Sequence, residues 1–191
     1  SLGGTDVTGI TYGAAGSNWV YGSICADDSY KGSTPSDQPP MVLLATWSLS
    51  TATSTYMNIK WRVLYAGIQR ANTVLRLLPK ATDISAGDAK TIEAEARFLR
   101  AFSYVNLMDL FGNVPITTEN DPVGFFYPEQ KTRAEVFAFV ESELKDLDTS
   151  LANARANEYG RVDKVAAKFL LAQIYLNSKV YTGTERNNEV A

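Results

Sequence analysis

Ala96-Arg97-Phe98-Leu99-Arg100-Ala101-Phe102-Ser103-Tyr104-Val105-Asn106 returns 71 residues later as Ala167-Lys168-Phe169-Leu170-Leu171-Ala172-Gln173-Ile174-Tyr175-Leu176-Asn177. Alanine, phenylalanine, leucine, alanine, tyrosine and asparagine recur at matching offsets, and a basic residue holds the second place in both copies. Unrelated amphipathic helices share a period but seldom share identities, so this is a structural repeat. It predicts two helical hairpins, about 53–111 and 132–179. Small alanines admit the partner helix, and aromatic rings fill the space beyond. Such hairpins leave apolar faces uncovered and stack on their neighbours. The expected fold is all-α, with stacked hairpins of tetratricopeptide type, longer units and long loops.

Working outward, Trp61, Leu64, Tyr65, Ile68, Ala71, Leu75 and Leu78 recur at three- and four-residue steps, predicting a helix over about 53–78 that Pro79 stops. Trp61 and Tyr65, on that stripe, are expected in the core. The next helix, about 86–111, is capped by Ser85, carries Asp88 near the positive end of its dipole and closes on Gly112. Its stretch from Phe98 to Phe111 is apolar on more than one face, which places it inside a stack. Arg97 and Arg100 there are expected to pair with carboxylates such as Glu93 or Asp109. A connection over 113–130 carries three prolines. Thr132-Arg133-Ala134-Glu135 is a capping box, and Asp163 caps the last helix, expected to reach about Lys179. No segment reads as a strand. In the first 50 residues the pattern predicts only a short helix over about 14–25, with loops over 27–32 and 35–40.

With no histidine among 191 residues, the chain lacks the commonest general base, the commonest zinc ligand and every Ser-His or Cys-His nucleophile system. Its single cysteine, Cys25, forms no intramolecular disulfide and reads as a small buried hydrophobe. A formal net charge of −3 argues against nucleic acid as a partner. No run approaches the ~18 apolar residues of a membrane-spanning helix. Gly3-Gly4 and Gly13-Ala14-Ala15-Gly16 lack the lysine and flanking strand of a phosphate loop. The chain opens on Ser1-Leu2-Gly3-Gly4 and ends abruptly, with Thr182-Gly183-Thr184-Glu185-Arg186-Asn187-Asn188-Glu189 leading into no further element, so it reads as one helical domain, 1–191, cut from a longer product.

Three segments then carry a resemblance. They are Trp61-Arg62-Val63-Leu64-Tyr65-Ala66-Gly67-Ile68-Gln69-Arg70-Ala71-Asn72, then Glu95-Ala96-Arg97-Phe98-Leu99-Arg100-Ala101 running on to Asp109-Leu110-Phe111-Gly112-Asn113-Val114-Pro115-Ile116, then Gly160-Arg161-Val162-Asp163-Lys164-Val165-Ala166-Ala167-Lys168. In this order and spacing they resemble the SusD-like (RagB/SusD) family over about 14–181. The resemblance implies a helical tetratricopeptide-like core and a non-catalytic glycan-binding role. It implies an outer-membrane lipoprotein of Bacteroidota and a SusC-like, TonB-dependent transporter as partner. The lipidation cysteine and the second half of the family pattern lie outside this sequence, so the lipid anchor rests on the resemblance.

Glycan binding needs aromatic faces that stack on sugar rings and short polar groups that bond hydroxyls. The candidates are Trp47, in the region where glycan-binding relatives carry stacking aromatics, with Asp28 and Tyr30 of the Asp27-Asp28-Ser29-Tyr30 loop. The favoured reading of Trp47 alone is a lid folded onto the helices, and that of Asp27 and Asp28 a helix-end or turn role. Glu141 and Glu143 lie two apart, on different helix faces, and make a poor acid–base pair. No catalytic residue, metal ligand or cofactor is expected. A peptide-binding adaptor and a helical glycan-active enzyme are the competing functions.

Overall fold

A computed structural model describes residues 22–26, 28–32, 34, 36–37, 39–48 and 54–190, with the side chains of 54–56 outside that description. The chain divides into two compact units, 1–66 and 67–191. Most of the expected helix over 14–25 lies outside the described residues, as do Asp27 and the glycines at 3, 4, 13 and 16. Its last residues, 22–25, form a turn closed by Ala26 N–H on the Ser23 carbonyl at 3.2 Å.

The first unit corrects the loop expected over 35–40, because helix α1 spans Pro39–Ala45. Two prolines read as a break, yet in a first turn their missing N–H groups have no intrahelical partner to lose and their φ is already set. Met41 and Leu44, three residues apart on α1, bury themselves against Ile24, and Cys25, Ala45 and Met57 pack around them. Burial pushes the Cys25 thiol above its usual pKa, as for an inert small hydrophobe. Helix α2, Ser54–Leu77, begins here and continues into the second unit. Its expected stripe is realised at Leu64, Ile68, Ala71 and Leu75, all buried. Trp61 and Tyr65 depart from expectation. They are half-buried, one turn apart, with ring centroids 4.8 Å apart.

The second unit holds α3 (Ala86–Phe111), α4 (Arg133–Asp146), α5 (Lys164–Leu176) and the short α6 (Ser178–Thr182). The local caps are those the sequence predicts. Ser85 Oγ accepts from Asp88 N–H, Thr132 and Glu135 form a reciprocal capping box, and Asp163 accepts from Ala166 N–H. The last expected helix divides at Asn177 into α5 and α6. A two-residue antiparallel ladder, β1 (Val114–Pro115) with β2 (Gln130–Lys131), corrects the expectation of no strand. Gly112 makes it possible: its φ of +73° is open to few side chains, and an added Cβ would sit 3.1 Å from the Arg133 guanidinium. The chain thus turns sharply at the end of α3, and Asn113 ties the turn to the start of α4. Its Oδ1 accepts from Arg133 N–H at 2.8 Å, and its carbonyl accepts from Gln130 Nε2 at 3.0 Å.

Both copies of the repeat bury the first alanine and the tyrosine: Ala96 and Ala167, Tyr104 and Tyr175. The tyrosine hydroxyls do different work. Tyr104 Oη accepts from Thr117 N–H at 2.7 Å and so fixes the connection, whereas Tyr175 Oη donates to Glu141 at 2.7 Å. Arg97 and Arg100 do pair with carboxylates, but not with Glu93 or Asp109. Arg100, buried, bonds Glu143 at 2.8 Å, Glu119 and the Asn72 side chain. Arg97 bonds Glu143 at 2.8 Å and Asp146 at 3.1 Å. The network draws α2, α3, α4 and the 113–130 connection onto one buried point. Glu141 points elsewhere, to Arg186, Lys145 and Tyr175, consistent with opposite faces for Glu141 and Glu143.

Arg186 anchors the last residues. Its guanidinium lies 4.8 Å from the Tyr175 ring centroid and 5.5 Å from that of Phe137, and it grips both oxygens of Glu141. That grip, opposed by partial burial and aided by Lys145 and Tyr175, holds the Glu141 pKa at about 2, against 4.5 ordinarily. A carboxylate with a depressed folded pKa contributes stability above its unfolded pKa, and the contribution is lost as pH falls. We expect stability to decline between pH 4.5 and about 2 through this group. In Glu141→Gln that part of the decline should vanish in acid titrations followed by circular dichroism. An unchanged acid profile would remove Glu141 as its source.

Among the described residues no helix is long and apolar enough to cross a membrane.

Candidate functional site

Helix α1 ends in a hydrogen-bond pair that defines a Schellman close. Ser48 N–H reaches back to the Leu43 carbonyl at 2.8 Å, and Trp47 N–H to the Leu44 carbonyl at 3.1 Å. The residue after the cap in this motif adopts a left-handed backbone and is usually glycine. Here it is Trp47, at φ +54°. A β-carbon in that conformation costs roughly 1–2 kcal/mol. The indole does not recover the cost by burial, because Trp47 is 72% exposed. Within its own unit the ring is thus held out on a backbone that disfavours it. Strain of this kind concentrates at ligand contacts.

Tyr30, in the same unit, is 83% exposed, and Asp28 is exposed in the turn before it. Next in the chain Lys31 is buried, its ammonium bonded to the Thr34 carbonyl at 2.8 Å and near Asp37 at 4.0 Å. The segment that follows Tyr30 is thus held in place, while the Tyr30 ring and the Asp28 carboxylate are exposed. Among the described residues, no hydrogen bond, ion pair or ring contact joins Trp47, Asp28 and Tyr30 to one another. All three are exposed, and Trp47 has the most constrained backbone.

The second unit has two features that the sequence did not single out. One is a pair of bare rings in the connection, Phe125 and Tyr127, each 87% exposed and edge-to-face at 5.0 Å. Their only signal was Phe125-Phe126-Tyr127 between Pro122 and Pro128. The stem below is clamped by Arg76, which donates to the Glu119 carbonyl at 3.0 Å and the Asp121 carbonyl at 3.1 Å. The other is a cleft of about 850 Å³ whose wall includes Leu75, Pro79, Lys90, Glu93, Arg97 and Arg100. Burial opposes ionisation of Glu119 on its wall, but bonds from Arg100 prevail and hold its carboxyl below the ordinary pKa. The guanidiniums of Arg97 and Arg100 are occupied by protein carboxylates, so the cleft floor is structural.

A helical-hairpin scaffold of tetratricopeptide type, carrying bare aromatic rings on pinned turns, defines the class. The chain belongs to the SusD-like family: residues 6–176 match the family described as "Starch-binding associating with outer membrane". It is 38% identical over 100 residues to the starch-binding protein SusD of Bacteroides thetaiotaomicron, covering 50% of this chain and 17% of that protein. Surface glycan-binding protein A from Bacteroides uniformis superposes with a TM-score of 0.69 at 28% identity, over 84% of this chain and 36% of its own. A laminarin-binding SusD-like protein gives 0.68 at 28% identity, over 78% of this chain and 32% of its own. The chain thus spans little more than a third of these relatives' lengths at most.

Proposed function

We propose that this chain is the helical scaffold part, 1–191, of a non-catalytic protein that captures glycans at the outer membrane. In this reading Trp47 is the stacking platform, with Tyr30 and Asp28 beside it. A lipid anchor holds the parent protein to the outer surface, and a SusC-like TonB-dependent transporter receives the oligosaccharide. One observation carries it: an exposed indole at a position whose backbone favours glycine. The family and its starch- and laminarin-binding relatives support the choice of glycan as ligand. Glu119 and Glu143 on the cleft wall, and Glu141, are each engaged by arginine, which supports a non-catalytic role for these three.

The test uses two substitutions in the full-length protein, with binding to soluble starch and laminarin read by calorimetry. Trp47→Ala is expected to weaken glycan binding about tenfold or more, equivalent to about 1.4 kcal/mol. Trp47→Gly should weaken it as much while leaving the melting temperature equal or higher, because glycine releases the left-handed strain. Wild-type affinity in both variants would remove Trp47 from the site. Sugar release at an ordinary enzymatic rate would overturn the non-catalytic reading, and binding of peptides in place of glycans would favour an adaptor.

A further inference from the structure

Lys90, Glu93, Arg97 and Arg100 follow one another along α3 at steps of three, four and three, so they share the helix face that lines the cleft of about 850 Å³. That volume falls within the range of small-ligand sites. The protein's own pairing does not use up this face. All three guanidinium nitrogens of Arg100 are bonded, to Glu143, Glu119 and Asn72. Arg97 commits Nε and Nη2 to Glu143 and Asp146, and its Nη1 has no partner among the described residues. Arg76, also on the wall, commits Nε and Nη2 to the carbonyls of Glu119 and Asp121, so no carboxylate offsets its charge. Lys90 and Glu93 are exposed and stand one turn apart on α3, yet among the described residues neither makes a hydrogen bond or an ion pair.

What is left over has a definite chemistry. Lys90, Arg76 and the Arg97 Nη1 are cationic donors not matched by a carboxylate, and Glu93 is a single unmatched acceptor among them. Leu78, Pro79, Ala86 and Ala89 make another part of the wall apolar. A compact anion such as phosphate would meet Glu93 as a like charge. A neutral sugar would leave the surplus of cations unanswered. A sugar acid brings one carboxylate, several hydroxyl donors and an apolar ring face, and so complements all three parts of the wall. We propose that this cleft, built wholly from the second unit, is a further saccharide site that takes a uronic acid residue. Lys90 and the Arg97 Nη1 receive its carboxylate, Glu93 accepts from its hydroxyls, and its ring lies on Pro79 and Ala89. The saccharide body of the ligand rests on the glycan reading; the surplus of cationic donors does not.

The test is calorimetry on the full-length protein with trigalacturonate as the probe. Binding is expected, and it should weaken as sodium chloride rises from about 50 to about 500 mM, because salt screens contacts with exposed charges. Lys90→Met should weaken it about fivefold or more through loss of a charge-assisted hydrogen bond, with the melting temperature unchanged. Lys90→Arg, which keeps the charge, should retain most of the affinity, and Trp47→Ala should leave it as it was. No binding of trigalacturonate, binding that Lys90→Met leaves intact, or binding that Trp47→Ala abolishes would each overturn the proposal. A protein that holds laminarin but not trigalacturonate overturns the cleft site alone. One that holds no saccharide, starch and laminarin included, overturns the glycan reading with it.

Discussion

Arg100→Met is expected to cost about 3–5 kcal/mol of folding stability, because it removes one partner from a buried ionic network and leaves the others uncompensated. Arg100 is 3% exposed and bonds Glu143, Glu119 and Asn72 at once. Methionine keeps much of the volume but returns none of the hydrogen bonds. Asn72 Oδ1 loses its donor, and Glu143 keeps only Arg97. Urea unfolding should show a lower midpoint with an unchanged slope. Arg100→Met combined with Glu143→Leu should cost less than the sum of the two single changes, by about 0.5–3 kcal/mol, because the two most buried charges leave together and only Glu119 and Arg97, both more exposed, lose a partner. A loss below about 1 kcal/mol for Arg100→Met would mean that water reaches the network.

Tyr104→Ala should cost a similar amount, about 3–5 kcal/mol, through the cavity left by a fully buried ring. Tyr104 is 0% exposed and meets Phe139 edge-on, with ring centroids 5.4 Å apart. Tyr104→Phe separates the hydroxyl from the ring. The Thr117 carbonyl would keep its bond from Asn72 Nδ2 at 3.0 Å, but the Thr117 N–H would lose its only described acceptor. An orphaned buried amide costs about 1–3 kcal/mol. The same residue already carries an unsatisfied hydroxyl, Thr117 Oγ1. Chemical denaturation of both variants checks the split. A neutral Tyr104→Phe would place a water at the Thr117 amide.

What was legible in the sequence was local. Ser85, Thr132 with Glu135, and Asp163 cap helices within three residues of themselves, so the helix starts could be read directly. The repeat exposed the hairpins because packing constraints on alanine and tyrosine recur with the fold. Partners across the fold were less legible. Arg97 and Arg100 were correctly expected to meet carboxylates, but helix spacing suggested Glu93 and Asp109, whereas the partners lie on α4 and in the connection. Helix α1 was hidden because Pro39-Pro40 reads as a break everywhere except a first turn. The proposed site was half visible. Aromatic type and a polar neighbourhood singled out Trp47, but a helix close is recognised from glycine, so its strained backbone had no signature. Phe125 and Tyr127 were passed over because a proline-rich connection has no period against which an exposed ring stands out.

Trp47 also sets a hazard for anyone who improves this protein in the laboratory. A library selected for heat tolerance alone would enrich glycine or asparagine at position 47, since both accept the left-handed turn more readily than tryptophan. Each round would yield a hardier scaffold with a blanker surface, and every biophysical quality check would pass it. Under the proposed role of Trp47, only a screen that retains clones by what they hold, alongside how well they survive, would keep the indole in place.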